Sequence, residues 1–99
     1  MSDVPQKPFT AELDKLIGKQ IVVDTDSSYI IIGHLESAGA DYLRLSNVDV
    51  HDTVDSESTK ELYTHETKKL GTLRSNRKMT YVRMARVLTI CLLDDVISY

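Results

Sequence analysis

Apolar residues recur at two different spacings along the chain, and the change of spacing separates a short N-terminal helix from a series of strands. Residues 9–17 have helical spacing, because Leu13, Leu16 and Ile17 fall on one face of a helix. Gly18 follows, and glycine commonly ends a helix. A helix this short does not stand alone in water. We therefore expect its apolar face to cover another part of the fold.

The rest of the chain alternates short apolar runs with turn residues, which predicts five strands. These strands run from Ile21 to Val23, Tyr29 to Leu35, Tyr42 to Val50, Met79 to Arg83 and Arg86 to Leu93. Residues 24–28 and 37–40 contain the Asp, Ser and Gly of tight turns. Gly33 lies inside the second strand, where a glycine often marks a bend. The predicted fold class is all-β, with one short helix first.

Residues 51–76 are polar and charged and interrupt the strand pattern. They are compatible with a long loop, an extended hairpin or a short helix. Thr59 to Leu70 contains good helix formers and is followed by Gly71, which favours a helical turn or two. We interpret the segment as a variable surface insert whose removal leaves the fold intact. The 99 residues then form a single domain, with residues 1–8 as a flexible N-terminus.

The last predicted strand is apolar on both faces between Val87 and Leu93. A strand of a small antiparallel barrel usually has one face in water. A second covering surface is therefore expected, and a neighbouring subunit joined at the strand edge is the simplest candidate. On this interpretation Leu92→Lys dissociates the assembly.

Charge is distributed unevenly along a chain whose net charge is −3. That net charge disfavours a non-specific nucleic-acid binder. However, the segment from Lys68 to Leu93 carries seven Lys or Arg residues and no acid, whereas Asp49 to Glu61 carries five acids and one Lys. Such a distribution can separate a basic face from an acidic one.

The sequence offers no chemistry for an enzyme. His34, His51 and His65 lack the spacing of metal ligands, and no phosphate-binding glycine loop is present. We predict no catalytic residue, no metal and no cofactor. The single cysteine, Cys91, cannot form an internal disulfide, which favours a reducing compartment such as the cytoplasm. No apolar run approaches the ~20 residues of a membrane span, so no membrane partner is expected.

Two segments carry the pattern of a known family. Residues 81–90 read Tyr-Val-Arg-Met-Ala-Arg-Val-Leu-Thr-Ile, similar to a motif of the form apolar-Ile-Arg-Gly-x-x-Val-x-x-Ile. The other matches are Leu16, Gly18, Lys19 and Val22 at the helix exit, Gly33 and Leu35 at the start of a first motif, and Tyr42-Leu43-Arg44-Leu45 at its end. In this order the segments resemble the Sm and Sm-like (LSm) proteins, including bacterial Hfq.

The resemblance implies a strongly bent, five-stranded antiparallel barrel with an N-terminal helix. It also implies a homo-oligomeric ring in which strand four of one subunit pairs with strand five of the next, and single-stranded, often U-rich, RNA bound at the pore. Carried over residue by residue, the RNA-binding positions are Tyr42 for stacking on a base, Arg44 for reading its edge, and Arg83 for a further contact.

The sequence departs from the family pattern at the same place. Arg44 stands where the family has an Asn, and Met84 where it has a Gly. The common Asp of the turn is displaced to Asp41 or absent. An Arg donates hydrogen bonds but cannot accept them, so we expect less preference for uridine. Two alternatives stay open: a ring that acts as a protein scaffold without RNA, and a single barrel within a larger assembly.

Overall fold

The computed structural model describes residues 9–55 and 58–97, so the predicted flexible N-terminus lies outside the described residues. The helices are α1 (Phe9–Leu13), followed by a 3₁₀ turn (Asp14–Leu16), and α2 (Lys60–Leu70). The strands are β1 (Gln20–Thr25), β2 (Tyr29–Ala38), β3 (Tyr42–Asp52), β4 (Arg77–Arg83) and β5 (Val87–Leu92). The prediction of five strands after a short helix is confirmed.

The strands form one antiparallel sheet in the order β4-β3-β2-β1-β5. The strands β4 and β5 are therefore its two edges. The sheet encloses a main core cluster made of Leu13, Ile21, Val23, Ile31, Leu35, Leu43, Leu45, Val48 and Val82. Leu13 places α1 against this cluster, as the apolar face of the helix predicted.

The first helix is shorter than the sequence indicates. Its α-helical turn ends at Leu13 and tightens into the 3₁₀ turn, and Ile17 already has an extended backbone. Ile17 is consequently 44% exposed, whereas Leu13 is 4% exposed. The prediction that Ile17 shares the buried face is wrong, because the change of helical pitch rotates it away.

The predicted turns are also shorter than expected. Asp24 and Thr25 belong to β1, and Ser37 and Ala38 belong to β2. Pairing with neighbouring strands holds these residues extended, since Asp24 pairs with both β2 and β5. Pairing between strands therefore outweighs the local preference of these Asp, Thr and Ser residues for turns.

The sheet bends where Gly33 of β2 faces two residues of β3, Asn47 and Val48. Asn47 has a positive φ of 47°, which an Asn tolerates better than most residues. A Cβ on Gly33 would lie 3.1 Å from Val48 Cγ2 and 3.3 Å from the Ser46 carbonyl oxygen. This bulge lets the two backbones approach closely. The glycine is therefore required for packing at the bend.

We expect Gly33→Val to destabilise the protein by about 1–3 kcal/mol, because the added side chain overpacks against fully buried Val48. Thermal unfolding followed by circular dichroism measures this. Asn47→Gly is the matched control on the opposite strand, since glycine adopts the same φ without strain. Equal melting temperatures for Gly33→Val and the parent would contradict the close approach.

Helix α2 forms where the sequence favoured helix. Thr59 caps it, accepting a hydrogen bond from the Leu62 amide at 3.1 Å, and Gly71 ends it with a φ of 72°. The helix packs over the outer face of the sheet, on a second cluster made of Val22, Ile30, Ile32 and Leu93. Tyr63, Leu73 and Val96 complete the cover of this cluster.

Lys60 and Tyr63 fix α2 to the strands, the first by hydrogen bonds and the second by ring stacking. The Lys60 ammonium donates to Asp24 Oδ1 at 2.6 Å and to the backbone oxygens of Thr25 and Ser27 at 3.0 and 2.6 Å. The Tyr63 ring stacks on His51 of β3 with centroids 4.0 Å apart. Through Tyr63 the helix packs on buried side chains of β1 and β2. We therefore expect the fold to depend on this segment, which the sequence predicted to be a removable insert.

The last strand also differs from expectation. Leu92 packs against the main core cluster together with Val87 and Ile90, whereas Leu88 points outward and is 63% exposed. The side chain that an adjoining subunit can cover is therefore Leu88. Because Leu92 faces the core, Leu92→Lys tests folding and not assembly.

Candidate nucleic-acid interface

The predicted binding residues lie at one end of the β3–β4 pair. Tyr42 begins β3 and Arg83 ends β4, and the two are cross-strand partners. Arg44 is opposite Tyr81 in the same ladder. Residues from two distant parts of the chain are thus brought to one face by the register of β3 and β4.

Tyr42 and Tyr81 form an exposed aromatic pair. Their ring centroids are 5.3 Å apart and their planes meet at 78°, which is an edge-to-face arrangement. They are 47% and 62% exposed, while Leu43 and Leu45 on the opposite face of β3 are fully buried. Neither tyrosine is therefore part of the core. For Tyr42 this is what the period-two pattern of β3 predicted.

These tyrosines line an open depression of about 690 Å³. Its lining residues are Asp41, Tyr42, Tyr81, Arg83 and Ala85, and we call it the tyrosine depression. Two backbone hydrogen bonds shape it. The Met84 amide donates to the Asp41 carbonyl at 2.9 Å, and the Gly39 amide donates to the Tyr42 carbonyl at 2.9 Å. The first bond joins the β2–β3 turn to the β4–β5 connection.

Arg44 lies beside the tyrosine depression without lining it. Its Nε donates to the Met79 sulfur at 3.4 Å, which holds the side chain over β4. The structure thus brings Tyr42 and Arg83 together and places Arg44 one step along the strands. The sequence interpretation did not name Tyr81 as a site residue, although Tyr81 precedes Arg83 by two positions and therefore shares its face.

The charges near the tyrosine depression are only partly compensated. Arg86, which follows it, donates through Nε to both carboxylate oxygens of Asp26, at 2.7 and 2.9 Å. Within residues 9–55 and 58–97, no ion pair involves Arg44, Arg83 or Asp41. Arg44 and Arg83 thus remain available to an anion, and the Asp41 carboxylate lines the same depression as Arg83.

Outside the tyrosine depression, the described residues also bear on metal binding and thiol chemistry. Among the described residues, no group of three or more His, Cys, Asp or Glu side chains is arranged to hold a metal ion. Partial burial and the Asp95 carboxylate raise the pKa of the Cys91 thiol above its usual value. The thiol is therefore protonated at neutral pH and is a poor nucleophile. No helix in the described ranges is long and apolar enough to cross a membrane.

The comparisons with known proteins identify the fold. An Sm-like protein from Archaeoglobus fulgidus superposes with a TM-score of 0.58 at 18% identity, covering 90% of this chain and 99% of that one. A heptameric archaeal Sm protein gives 0.52 at 24% identity, covering 83% and 96%. A chain from the NatC complex solved with CoA gives 0.54 at 19% identity, covering 92% and 88%. No family model and no curated protein matches the sequence.

The chain therefore has the Sm-like fold: a short N-terminal helix and a bent, five-stranded antiparallel sheet. The resemblance inferred from its two short motifs is confirmed at the level of the fold. Helix α2 occupies the connection between β3 and β4.

Proposed function

We propose that this protein is an RNA-binding Sm-like protein that forms a homo-oligomeric ring and binds single-stranded RNA near the pore. The observation that carries the proposal is the tyrosine depression, where Tyr42, Tyr81 and Arg83 meet at one end of the sheet. These residue types combine a stacking surface with an uncompensated cation, which is the chemistry that binds single-stranded nucleic acid.

Each side chain has a distinct role in the proposed site. Tyr42 offers its exposed ring to a base, and Tyr81 supports that ring edge-on. Arg83 attracts phosphate, and Arg44 adds charge from beside the depression. A ring repeats every such group around its axis, so a chain with a net charge of −3 still presents a basic rim.

The proposed ring joins β4 of one subunit to β5 of the next. Both strands are sheet edges here. An apolar groove of about 400 Å³ runs beside β5 and is lined by Met84, Val87, Leu88, Thr89 and Ile90. Exposed Met79 on β4 is a side chain of suitable chemistry to fill it. The heptameric archaeal neighbours support this assembly.

We expect the intact protein to bind labelled oligo-U and oligo-A in fluorescence anisotropy titrations, with affinity falling steeply as salt rises. Arg83→Ala should weaken binding to both oligonucleotides. It should also reduce the slope of log affinity against log salt by about one, the contribution of one phosphate contact. Tyr42→Ala should weaken binding about five- to hundredfold, the loss of one stacked base, at an unchanged salt slope.

Lys69→Ala is the matched control, because it removes one exposed cation from the last turn of α2, away from the tyrosine depression. A loss with Lys69→Ala as large as with Arg83→Ala would place the binding surface elsewhere. If the assembled protein binds neither oligo-U nor oligo-A at low salt, the RNA proposal is wrong.

The second candidate is a protein-interaction role without RNA, either as a ring or as one barrel within a larger assembly. The similarity to a chain of the NatC complex favours it, as does the net negative charge. The protein-interaction role replaces the RNA-binding proposal if the protein binds no RNA. In both cases we propose a binding protein and not an enzyme, working in a reducing, cytoplasmic compartment that suits its single cysteine.

A further inference from the structure

Opposite charges share the tyrosine depression without neutralising each other. Asp41 lies in its lining with Arg83, yet no ion pair within 4.0 Å involves either side chain in the described part of the chain. A ligand that fills the depression therefore meets a carboxylate as well as a guanidinium.

A carboxylate restricts what that ligand can be. It accepts hydrogen bonds and donates none, and it repels phosphate. The Asp41 side of the depression therefore suits a base edge that carries hydrogen-bond donors. Guanine presents two adjacent donors, N1–H and the N2 amino group, which match the two oxygens of one carboxylate. Uracil presents a single imide donor between two carbonyls, and adenine and cytosine each present one amino group beside an acceptor.

We propose that Asp41 makes this site selective for guanine in single-stranded RNA. The inference rests on the proposed RNA binding and names the base that the site prefers. Tyr42 is the chain neighbour of Asp41, so the stacking ring and the carboxylate rise from the same turn. A base stacked on Tyr42 turns its donor edge to Asp41, while Arg83 across the depression offsets the negative charge.

The backbone holds Asp41 in place for this role. The bond from the Met84 amide to the Asp41 carbonyl ties the turn to the β4–β5 connection, and the Gly39 amide closes the turn on Tyr42. A site held by main-chain bonds costs little to order when a ligand binds. Its volume of about 690 Å³ falls within the range of roughly 300–1,000 Å³ usual for small-ligand sites.

The test compares three labelled strands in anisotropy titrations at fixed salt: oligouridine, the same strand with one central guanosine, and the same strand with one central inosine. Inosine keeps N1–H but lacks the N2 amino group. We expect guanosine to tighten binding about tenfold over uridine, the size of one bidentate base contact. Inosine should lose most of that gain.

Asp41→Asn should abolish the guanosine preference, because an amide offers one acceptor in place of two. The same variant should bind oligouridine at least as tightly as the parent, since a negative charge near phosphate is removed. Asp14→Asn, which makes the same change of net charge on the N-terminal 3₁₀ turn, should preserve the preference. Thermal melting checks that both variants fold.

Equal affinity for all three strands would overturn the guanine inference and leave RNA binding intact. A guanosine preference that survives in Asp41→Asn, or that inosine fully reproduces, would also overturn it. Absence of binding to any strand would overturn the inference and the proposed function together. If Asp41→Asn fails to fold, the inosine comparison on the parent protein decides the question.

Discussion

Replacing residues 55–71 with a short Gly-Ser bridge is expected to abolish soluble, folded protein. The deletion removes Tyr63, which packs on the second cluster made of Val22, Ile30, Ile32 and Leu93, and so uncovers part of that cluster. Burying one such side chain contributes about 1.5–3 kcal/mol. Losing Tyr63 and part of this burial therefore costs several kcal/mol, a large part of the roughly 5–15 kcal/mol that holds a typical domain folded.

Soluble yield, gel filtration and thermal unfolding measure this outcome. Point variants within α2 give a finer comparison. Tyr63→Ala removes a ring that packs on the second cluster and stacks on His51, whereas Leu62→Ala truncates a neighbour that is 49% exposed. We expect Tyr63→Ala to lower the melting temperature much more than Leu62→Ala. A deletion variant that melts cooperatively at the parent temperature would show that α2 is dispensable.

The second large effect is expected from two substitutions on β5 that act oppositely. Leu88→Lys should yield a folded monomer, because Leu88 is 63% exposed and lies in the groove proposed to receive β4 of the next subunit. Leu92→Lys should instead lower the melting temperature strongly, because Leu92 is half-buried against the main core cluster and a charged group placed on that apolar surface loses hydration.

Light scattering coupled to gel filtration, together with thermal melting, separates the two results. At about 10–100 µM the parent should elute as a closed oligomer, as expected when two complementary edges make heterologous contacts. Leu88→Lys should then have the mass of one chain and a cooperative melt. A monomeric parent would contradict the ring, and an oligomeric Leu88→Lys would place the interface away from this groove.

The two proposals are linked through the same strand. Tyr81 lines the tyrosine depression and lies on the edge strand β4, so the proposed RNA site borders the proposed subunit interface. A monomeric Leu88→Lys variant is therefore expected to bind RNA more weakly than the parent, because neighbouring sites no longer act on one strand together.

The sequence by itself determined the order of the strands and which face of β3 is exposed. Short apolar runs bounded by turn residues predicted the five strands, and period two placed Tyr42 opposite the buried Leu43, because side chains alternate across a pleated strand. The family resemblance selected Tyr42 and Arg83, which the structure brings to one depression. The strands and the exposed face of Tyr42 depend on neighbours close in the chain, and such neighbours leave a periodic signal.

The tertiary structure decided which surfaces meet. The buried positions of α2 include Thr64 and Thr67, whose hydroxyls donate to backbone oxygens one turn earlier, at 2.7 and 2.9 Å. The helix therefore has a polar sequence and gave no sign that it covers a cluster. In β5 both faces are apolar, so alternation could not tell Leu88 from Leu92. The meeting of Asp41 with Tyr81 depends on strand register, which residues far apart in the chain set together.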